Sequence, residues 1–181
     1  MASVLLVYPN PQTIHPRYPN PLLPLAAVLL ENRHKVKILD EQFEDYKSVD
    51  LRDYDYVGIS TLTGPQIMNG LKIAKHIRNK DASIPLIWGG VHPSLMPEQT
   101  AENECVDIVV RGEGEETLLE LIARLEAGKQ YEDVPGITFK KNGKIVSTHE
   151  KEFVDLNKLP LMPYHLLSSF HKYSNVKRKI I

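Results

Sequence analysis

A mainly parallel α/β domain is the fold class this sequence predicts, and three observations predict it. Short apolar, β-rich runs alternate with runs of helical spacing. Gly, Pro and Asn punctuate the joints, and a length of 181 residues suits one domain with an appended segment. Taken in order, Ser3 to Tyr8 (SVLLVY) is a continuous apolar run, the pattern of a strand buried on both faces. A loop with six prolines, Pro9 to Pro24, follows it. Leu25 to Asn32 reads as a helix, Lys35 to Leu39 (KVKIL) alternates like a strand, and Tyr56 to Ser60 (YVGIS) is a third strand. Pro65 stands where a first helical turn tolerates proline, and from Ile67 apolar residues recur at Leu71, Ile73, Ala74 and Ile77. Pro85 to Trp88 (PLIW) is the fourth strand, ending at Gly89-Gly90, and Asp107 to Val110 (DIVV) is the fifth. Glu115 and Glu116 open the next helix, where acids suit the positive end of the dipole. Its apolar face is Leu118, Leu119, Leu121, Ile122 and Leu125, and it stops near Gly128.

Strands joined by helices call for right-handed crossovers and a parallel sheet. The expected topology is flavodoxin-like (Rossmann-like), a five-stranded sheet of order 2-1-3-4-5. Beyond it, Gly136 to Lys140 and Lys144 to Ser147 flank Lys141-Asn142-Gly143, and Asn-Gly is a strong hairpin turn because both residues need positive φ. The text after Asp155 is irregular and broken by prolines, as in a linker. The expected division is an α/β domain over 1–130, a β-hairpin extension over 131–155 and a linker over 156–181.

Bulk properties narrow the partners. A formal net charge of −1 gives no electrostatic pull toward nucleic acid or an anionic membrane surface. The longest apolar stretch, Leu22 to Leu30, is too short to span a bilayer. The first residues run straight into a strand with no basic region or cleavage site, so no signal peptide is expected, and the cytoplasm is the expected compartment. The lone cysteine, Cys105, excludes an internal disulfide and a cysteine-only metal or iron–sulfur site within these residues.

In this topology ligands bind beyond the carboxyl ends of the strands, at the switch point. Three loops fall there. Ser60-Thr61-Leu62-Thr63-Gly64 offers a small hydroxyl beside the sheet edge and a glycine for close backbone approach; the bland alternative is a strand-to-helix loop with Thr63 as N-cap. Trp88-Gly89-Gly90-Val91-His92-Pro93 leaves a slot free of Cβ atoms, wide enough for an aromatic ring or a phosphodiester, or else forms a tight turn. Arg111-Gly112-Glu113-Gly114-Glu115 is thinned by glycines, but its acids repel anions, so hydroxyls or amides of a neutral ligand suit it better than phosphate. His15 has Ile14 and Pro16 as neighbours and no adjacent aspartate to orient it as a metal ligand.

At these residues the chain resembles the N-terminal cobalamin (vitamin B12)-binding domain of B12-dependent radical SAM proteins, a group of methyltransferases and of enzymes like the anaerobic magnesium-protoporphyrin ester cyclase. The resemblance rests on VLLVYP, PLLPLAAVLLENRHKVKILD, VGISTLTG, WGGVHPSLMPE, VDIVVRGEGEETLLELI and LPLMPYHLL, in order, over nearly the whole chain. It implies that Ser60, Leu62, Gly89 and Gly90 line the slot for the nucleotide tail of cobalamin. Thr61, Thr63, His92, Gly112 and Glu113 would lie nearby. The Asp-x-His-x-x-Gly element that gives cobalt a lower ligand in methionine synthase is absent. The first strand is followed by PNPQTIHPRYPNP, so the resemblance implies no metal ligand from this chain. The Cys-x-x-x-Cys-x-x-Cys motif of a [4Fe–4S] cluster is also absent. The resemblance therefore places the cluster and S-adenosylmethionine in a radical domain downstream of Ile181, with no catalytic residue here.

The reading is a corrinoid-binding module that presents cobalt to that domain. The alternative is a B12-type fold that holds no cofactor and serves as a scaffold or dimerisation module. A receiver domain would need acids after the first strand and an aspartate ending the third, where Pro9-Asn10 and Ser60 stand. A dinucleotide-binding fold would need a glycine-rich turn after the first strand.

Overall fold

The computed structural model describes residues 1–174. Its elements are β1 (Ser3–Tyr8), α1 (Leu22–Glu31), β2 (Lys35–Asp40), β3 (Tyr56–Ser60), α2 (Pro65–Lys80), β4 (Leu86–Gly89), α3 (Val91–Leu95), α4 (Pro97–Glu102), β5 (Ile108–Val110), α5 (Glu115–Glu126), β6 (Ile137–Lys141), β7 (Lys144–Ser147) and α6 (Phe170–Ser174). They form one seven-stranded sheet of order β2-β1-β3-β4-β5-β6-β7. The first five strands are parallel and run in the expected order.

The strand count differs from the expected five because the hairpin is no appendage. β6 pairs antiparallel with β5, Ile108 opposite Phe139 and Val110 opposite Ile137, and β7 adds beyond it. A three-residue β5 left at the edge would expose unpaired backbone groups, and the hairpin covers them. Arg111 fastens the join, its guanidinium donating to the Thr148 carbonyl and its amide to the Gly136 carbonyl at 2.8 Å. The Asn142-Gly143 turn has the positive φ angles the sequence demands, 51° and 74°.

Two boundaries also differ. α1 starts at Leu22 rather than Leu25, because Pro24 falls in the first turn, where a missing N–H is no loss. Between β4 and β5, where no apolar periodicity predicts a helix, stand the short α3 and α4. Period-two alternation divides the core between the two faces of the sheet. Val4, Leu6, Ile87, Ile108 and Val110 meet α1 and α5 on one face. Leu5, Val7, Val57, Ile59, Leu86, Trp88 and Val109 meet α2 and α4 on the other.

The segment expected as a linker folds back on the domain as far as Ser174; its remainder, 175–181, lies outside the described residues. Leu167 and Tyr173 are buried in the core cluster on the α1 face. The Tyr173 ring stacks on Tyr18 at 4.2 Å and meets Phe43 edge-on at 5.0 Å. Its hydroxyl donates to the buried Asp40 carboxylate, which also accepts from the Gln42 amide at 2.9 Å. Burial pushes the Asp40 carboxyl above its usual range, the Tyr173 and Gln42 hydrogen bonds opposing it.

Tyr173→Phe keeps the rings and removes one hydrogen bond to a buried acid. It is expected to cost about 1–3 kcal/mol. Urea unfolding will measure that cost, and hydrogen exchange should show faster opening of 166–174 while β1 to β5 keep their protection.

Candidate functional site

The site begins with three small residues, Gly58, Ser60 and Gly89. β3 and β4 are in register so that Leu6 lies beside Gly58 and Gly58 beside Ile87, and two residues further on Ser60 lies beside Gly89. All are in phase with the face covered by α1 and α5. Where neighbouring positions carry Leu or Ile, these carry hydrogen or a hydroxymethyl group. The Leu6 side chain fills the space over Gly58, where a Cβ would fall 2.9 Å from its Cδ2, and the layer is left open beyond it, over Ser60 and Gly89 at the carboxyl end. The result is a cavity of about 200 Å³, walled by Gly58, Ser60 and Gly89 from the sheet, Leu22 and Leu25 from α1, and Glu115 and Leu118 from α5.

Its mouth is held by close backbone contacts. Gly90 has a φ of +94°, and a Cβ there would fall 2.7 Å from the Ser60 hydroxyl and 2.8 Å from the Thr61 carbonyl oxygen. Thr61 and His92 donate backbone bonds across this joint, to the Gly89 and Thr61 carbonyls at 3.0 and 3.2 Å. Gly89 differs from Gly90: the nearest atom to an added Cβ is the Val110 carbonyl oxygen at 3.4 Å, an ordinary contact, so the space beyond it belongs to the cavity.

Side chains that no motif marks tie the loops together. Ser94 of α3 donates its hydroxyl to the Gly90 carbonyl at 2.8 Å and accepts from the Gly112 amide at 2.9 Å, joining the loops after β4 and β5. Gln66 of α2 is 1% exposed. Its amide accepts from Leu62 N–H at 2.8 Å and donates to the Pro9 carbonyl at 2.6 Å, bridging the loops after β3 and β1 at the switch point. Asn69 adds a bond to the Asn10 carbonyl at 2.8 Å.

The sequence-predicted residues separate into three groups. Ser60, Gly89, Gly90, Gly112 and Glu113 line the cavity. Leu62 lines a shallow, mostly apolar depression outside it, with Gln66, Val91 and Leu95. Thr61, Thr63 and His92 line neither. Thr61 is 1% exposed, and its methyl lies within 3.2 Å of where Gly70 of α2 would place a Cβ. Thr63 is exposed and caps nothing, because the N-cap of α2 is Gly64 at φ 97°. His92 Nδ1 is buried without a partner. The Glu113 carboxylate turns toward the tail and accepts from Val154 N–H at 2.7 Å.

Glu115, which the sequence places in the loop after the fifth strand but does not single out as a site residue, lines the cavity as well. Its place at the start of α5 reads as a dipole partner, yet it lines the cavity with Oε2 buried and without a hydrogen bond. Burial pushes its carboxyl above the usual range, its own backbone amide opposing this, and Glu113 and Glu116 push it further the same way. The helix-dipole role is met by Glu116, which pairs with Lys151 at 3.1 Å in solvent. Ser60 Oγ makes no hydrogen bond within the described residues. Among those residues no group of three or more His, Cys, Asp or Glu side chains is placed to hold a metal ion, and no helix is long and apolar enough to cross a membrane.

Comparison with known proteins agrees with this geometry. The model of the B12 binding domain family matches residues 16–122. An uncharacterized methyltransferase of Pyrococcus horikoshii is 33% identical over 91% of this chain and 39% of its own length. The anaerobic magnesium-protoporphyrin IX monomethyl ester cyclase of Synechocystis is 27% identical over 80% of this chain and 32% of its own. The solved structure of the cobalamin-dependent S-adenosylmethionine radical enzyme OxsB with aqua-cobalamin bound superposes with a TM-score of 0.81. That match has 26% identity and covers 96% of this chain and 25% of that one. This chain thus spans well under half the length of each of these relatives.

The mouth contacts separate two glycines that look alike in sequence. Gly90→Ala meets both a clash and a positive φ, and should lower the unfolding free energy by roughly 3 kcal/mol or more. Gly112→Ala meets only open space at φ +67° and should cost about 1 kcal/mol. Denaturant unfolding of the two variants checks the ranking.

Proposed function

The chain belongs to the B12 binding domain family, and from that premise we propose that it grips the nucleotide tail of a corrinoid and presents the cobalt to a radical SAM domain on the same polypeptide. The observation that carries the reading is the slot left open over Ser60 and Gly89 at the ends of β3 and β4. An apolar cavity of about 150 Å³ takes up benzene. A slot of about 200 Å³ with an apolar lining therefore suits one fused aromatic ring system, entering edge-on between sheet and helices. The apolar depression outside the mouth, with Val91 and Leu95 exposed, suits the face of a macrocycle too large to enter.

The residues fit that group, and their work is positional. Gly89 and Gly90 leave the entrance open, and Ser60 offers a hydroxyl to the part of the ligand that passes it. Gln66 and Ser94 hold the loops so that the slot exists before the ligand arrives, which lowers the ordering cost of binding. When bound, the corrinoid supplies methyl-carrying or radical-assisting cobalt chemistry; the protein supplies position and surroundings. The [4Fe–4S] cluster and S-adenosylmethionine belong to the proposed downstream domain. Support comes from the relatives' greater lengths and from the name of the OxsB structure.

Two measurements test the reading. Hydroxocobalamin mixed with the purified chain should co-elute and shift its visible spectrum; no retention at micromolar excess overturns binding and leaves the scaffold alternative. Gly89→Leu keeps its Cβ in ordinary contact but fills the slot, so the fold should persist while affinity falls more than about tenfold. Separately, the coding sequence beyond Ile181 should carry Cys-x-x-x-Cys-x-x-Cys; its absence there overturns the assignment of a radical domain.

A further inference from the structure

The helix wall of the slot depends on a loop without regular structure. β1 ends at Tyr8 and α1 begins at Leu22. Leu22 and Leu25 line the slot, and Pro21 lines both the slot and the depression outside it. Side chains from elsewhere hold the loop in place. Gln42, after β2, clamps Arg17: its side-chain carbonyl accepts from Arg17 N–H at 2.9 Å, and its amide donates to the Arg17 carbonyl at 2.8 Å. Gln42 is itself set by Asp40, whose carboxylate accepts from the Gln42 backbone N–H at 2.9 Å and from its side-chain amide at 3.0 Å. The third donor to that carboxylate is the Tyr173 hydroxyl, brought back by the tail. Next in the loop, Tyr18 stacks on the Tyr173 ring at 4.2 Å and tilts against Phe170 at 5.7 Å. The buried Pro19 follows, and its carbonyl accepts from Leu22 N–H at 2.9 Å, where the helix wall starts. A second tie runs from Ser168, whose hydroxyl donates to Glu44 at 2.9 Å.

We propose that the returning tail is a strap: through Tyr173 it positions the helix wall of the slot, so that tail docking and ligand binding favour each other. The inference rests on the corrinoid reading above and adds regulation to it, since the site has its full affinity only while 166–174 is docked. Tyr173, Asp40 and Gln42 are positioning residues, and none of them lines the slot. With the tail docked, Arg17 and Tyr18 are held from two sides and the wall stands before the ligand arrives. With the tail released, Asp40 is a buried acid short of one donor, Tyr18 loses its stacked ring, and the ligand has to order the loop itself. Pulling on the tail from the proposed downstream domain would thus loosen the slot without touching its occupant. The coupling is reciprocal, so an occupied slot holds the tail more firmly by the same factor.

The experiment measures hydroxocobalamin dissociation constants by equilibrium dialysis for the full chain and three variants, with hydrogen exchange of 166–174 in the presence and absence of the ligand. Tyr173→Ala releases the tail. Gln42→Leu cuts the clamp on Arg17 and leaves the tail its contacts with Asp40 and Tyr18. Tyr131→Leu is the control, a comparable loss of packing against Phe139 at neither the slot nor the tail. Affinity is expected to fall about tenfold in Tyr173→Ala and Gln42→Leu and to stay within about twofold in the control. Saturating hydroxocobalamin should slow exchange of 166–174 by a similar factor in the wild type and by less in Gln42→Leu, a response that a merely structural tail would not give. Circular dichroism checks folding, and a misfolded Tyr173→Ala leaves Gln42→Leu and the wild-type exchange to decide. Wild-type affinity in a folded Tyr173→Ala whose tail exchanges freely overturns the strap, as does tail exchange indifferent to the ligand. If the wild type retains no hydroxocobalamin, the corrinoid reading fails and this inference with it, a result distinct from binding that ignores the tail.

Discussion

The slot stands on one close approach, the backbone of Gly90 against Ser60 and Thr61. There the loop after β4 crosses the end of β3 with no room for a methyl group. That crossing lets Thr61 N–H donate to the Gly89 carbonyl and His92 N–H to the Thr61 carbonyl, and it sets the Gly90 carbonyl where Ser94 reaches it. Ser94 passes the constraint to Gly112 and so to the loop after β5. On the other side Gln66 ties the loop after β3 to the one after β1. Four strand ends are thus linked by short bonds that run beside the opening and leave it clear. A side chain at residue 90 would push the first link apart, and the others lie downstream of it.

The order of the five parallel strands was legible because each signal was local. Apolar runs, a proline in a first turn and an Asn-Gly turn report on their own residues, and right-handed crossovers leave few topologies to choose from. The location of the slot was legible for the same reason, since Ser60 and Gly89-Gly90 stand at strand ends wherever the strands pair. The pairing of the hairpin with β5 was not. Its sequence shows two strands and a turn, but which edge they meet depends on the unpaired backbone of a three-residue strand far along the chain. The docking of Tyr173 was hidden similarly: it joins residues 133 positions apart, and nothing around Tyr173 names Asp40 as a partner.

Within the site, the glycines were readable and the polar side chains were not. A glycine pair at a strand end has few uses. Gln66 and Ser94 sit on helices among ordinary residues, and what they do is fixed by which carbonyl or amide lies opposite them. Glu115 was obscured by a sufficient explanation, since an acid in the first helical turn needs no further reason. The adjacent Glu116 shows that explanation satisfied in solvent, and the burial of Glu115 Oε2 is what remains. Glu113, expected at the site for its charge, lends its carboxylate to Val154 and so helps hold the returning tail.

The arrangement divides labour between the faces of one sheet. On the α2 face the strands carry large residues, and Trp88 presses within 3.0 Å of the space where Gly70 would place a Cβ, so that layer is filled and stiff. On the α1 face β3 and β4 end in Ser60 and Gly89, whose small size leaves a cavity beyond Leu6 and Ile87. An unfilled cavity costs stability in proportion to its volume. The fold sustains this opening because the filled layer behind β3 and β4 fixes the strands that wall it, and because the hydrogen bonds at the mouth involve backbone groups on loops that need partners in any case. A ligand entering this slot finds walls already set, so its affinity depends on how well its ring fits the space between them.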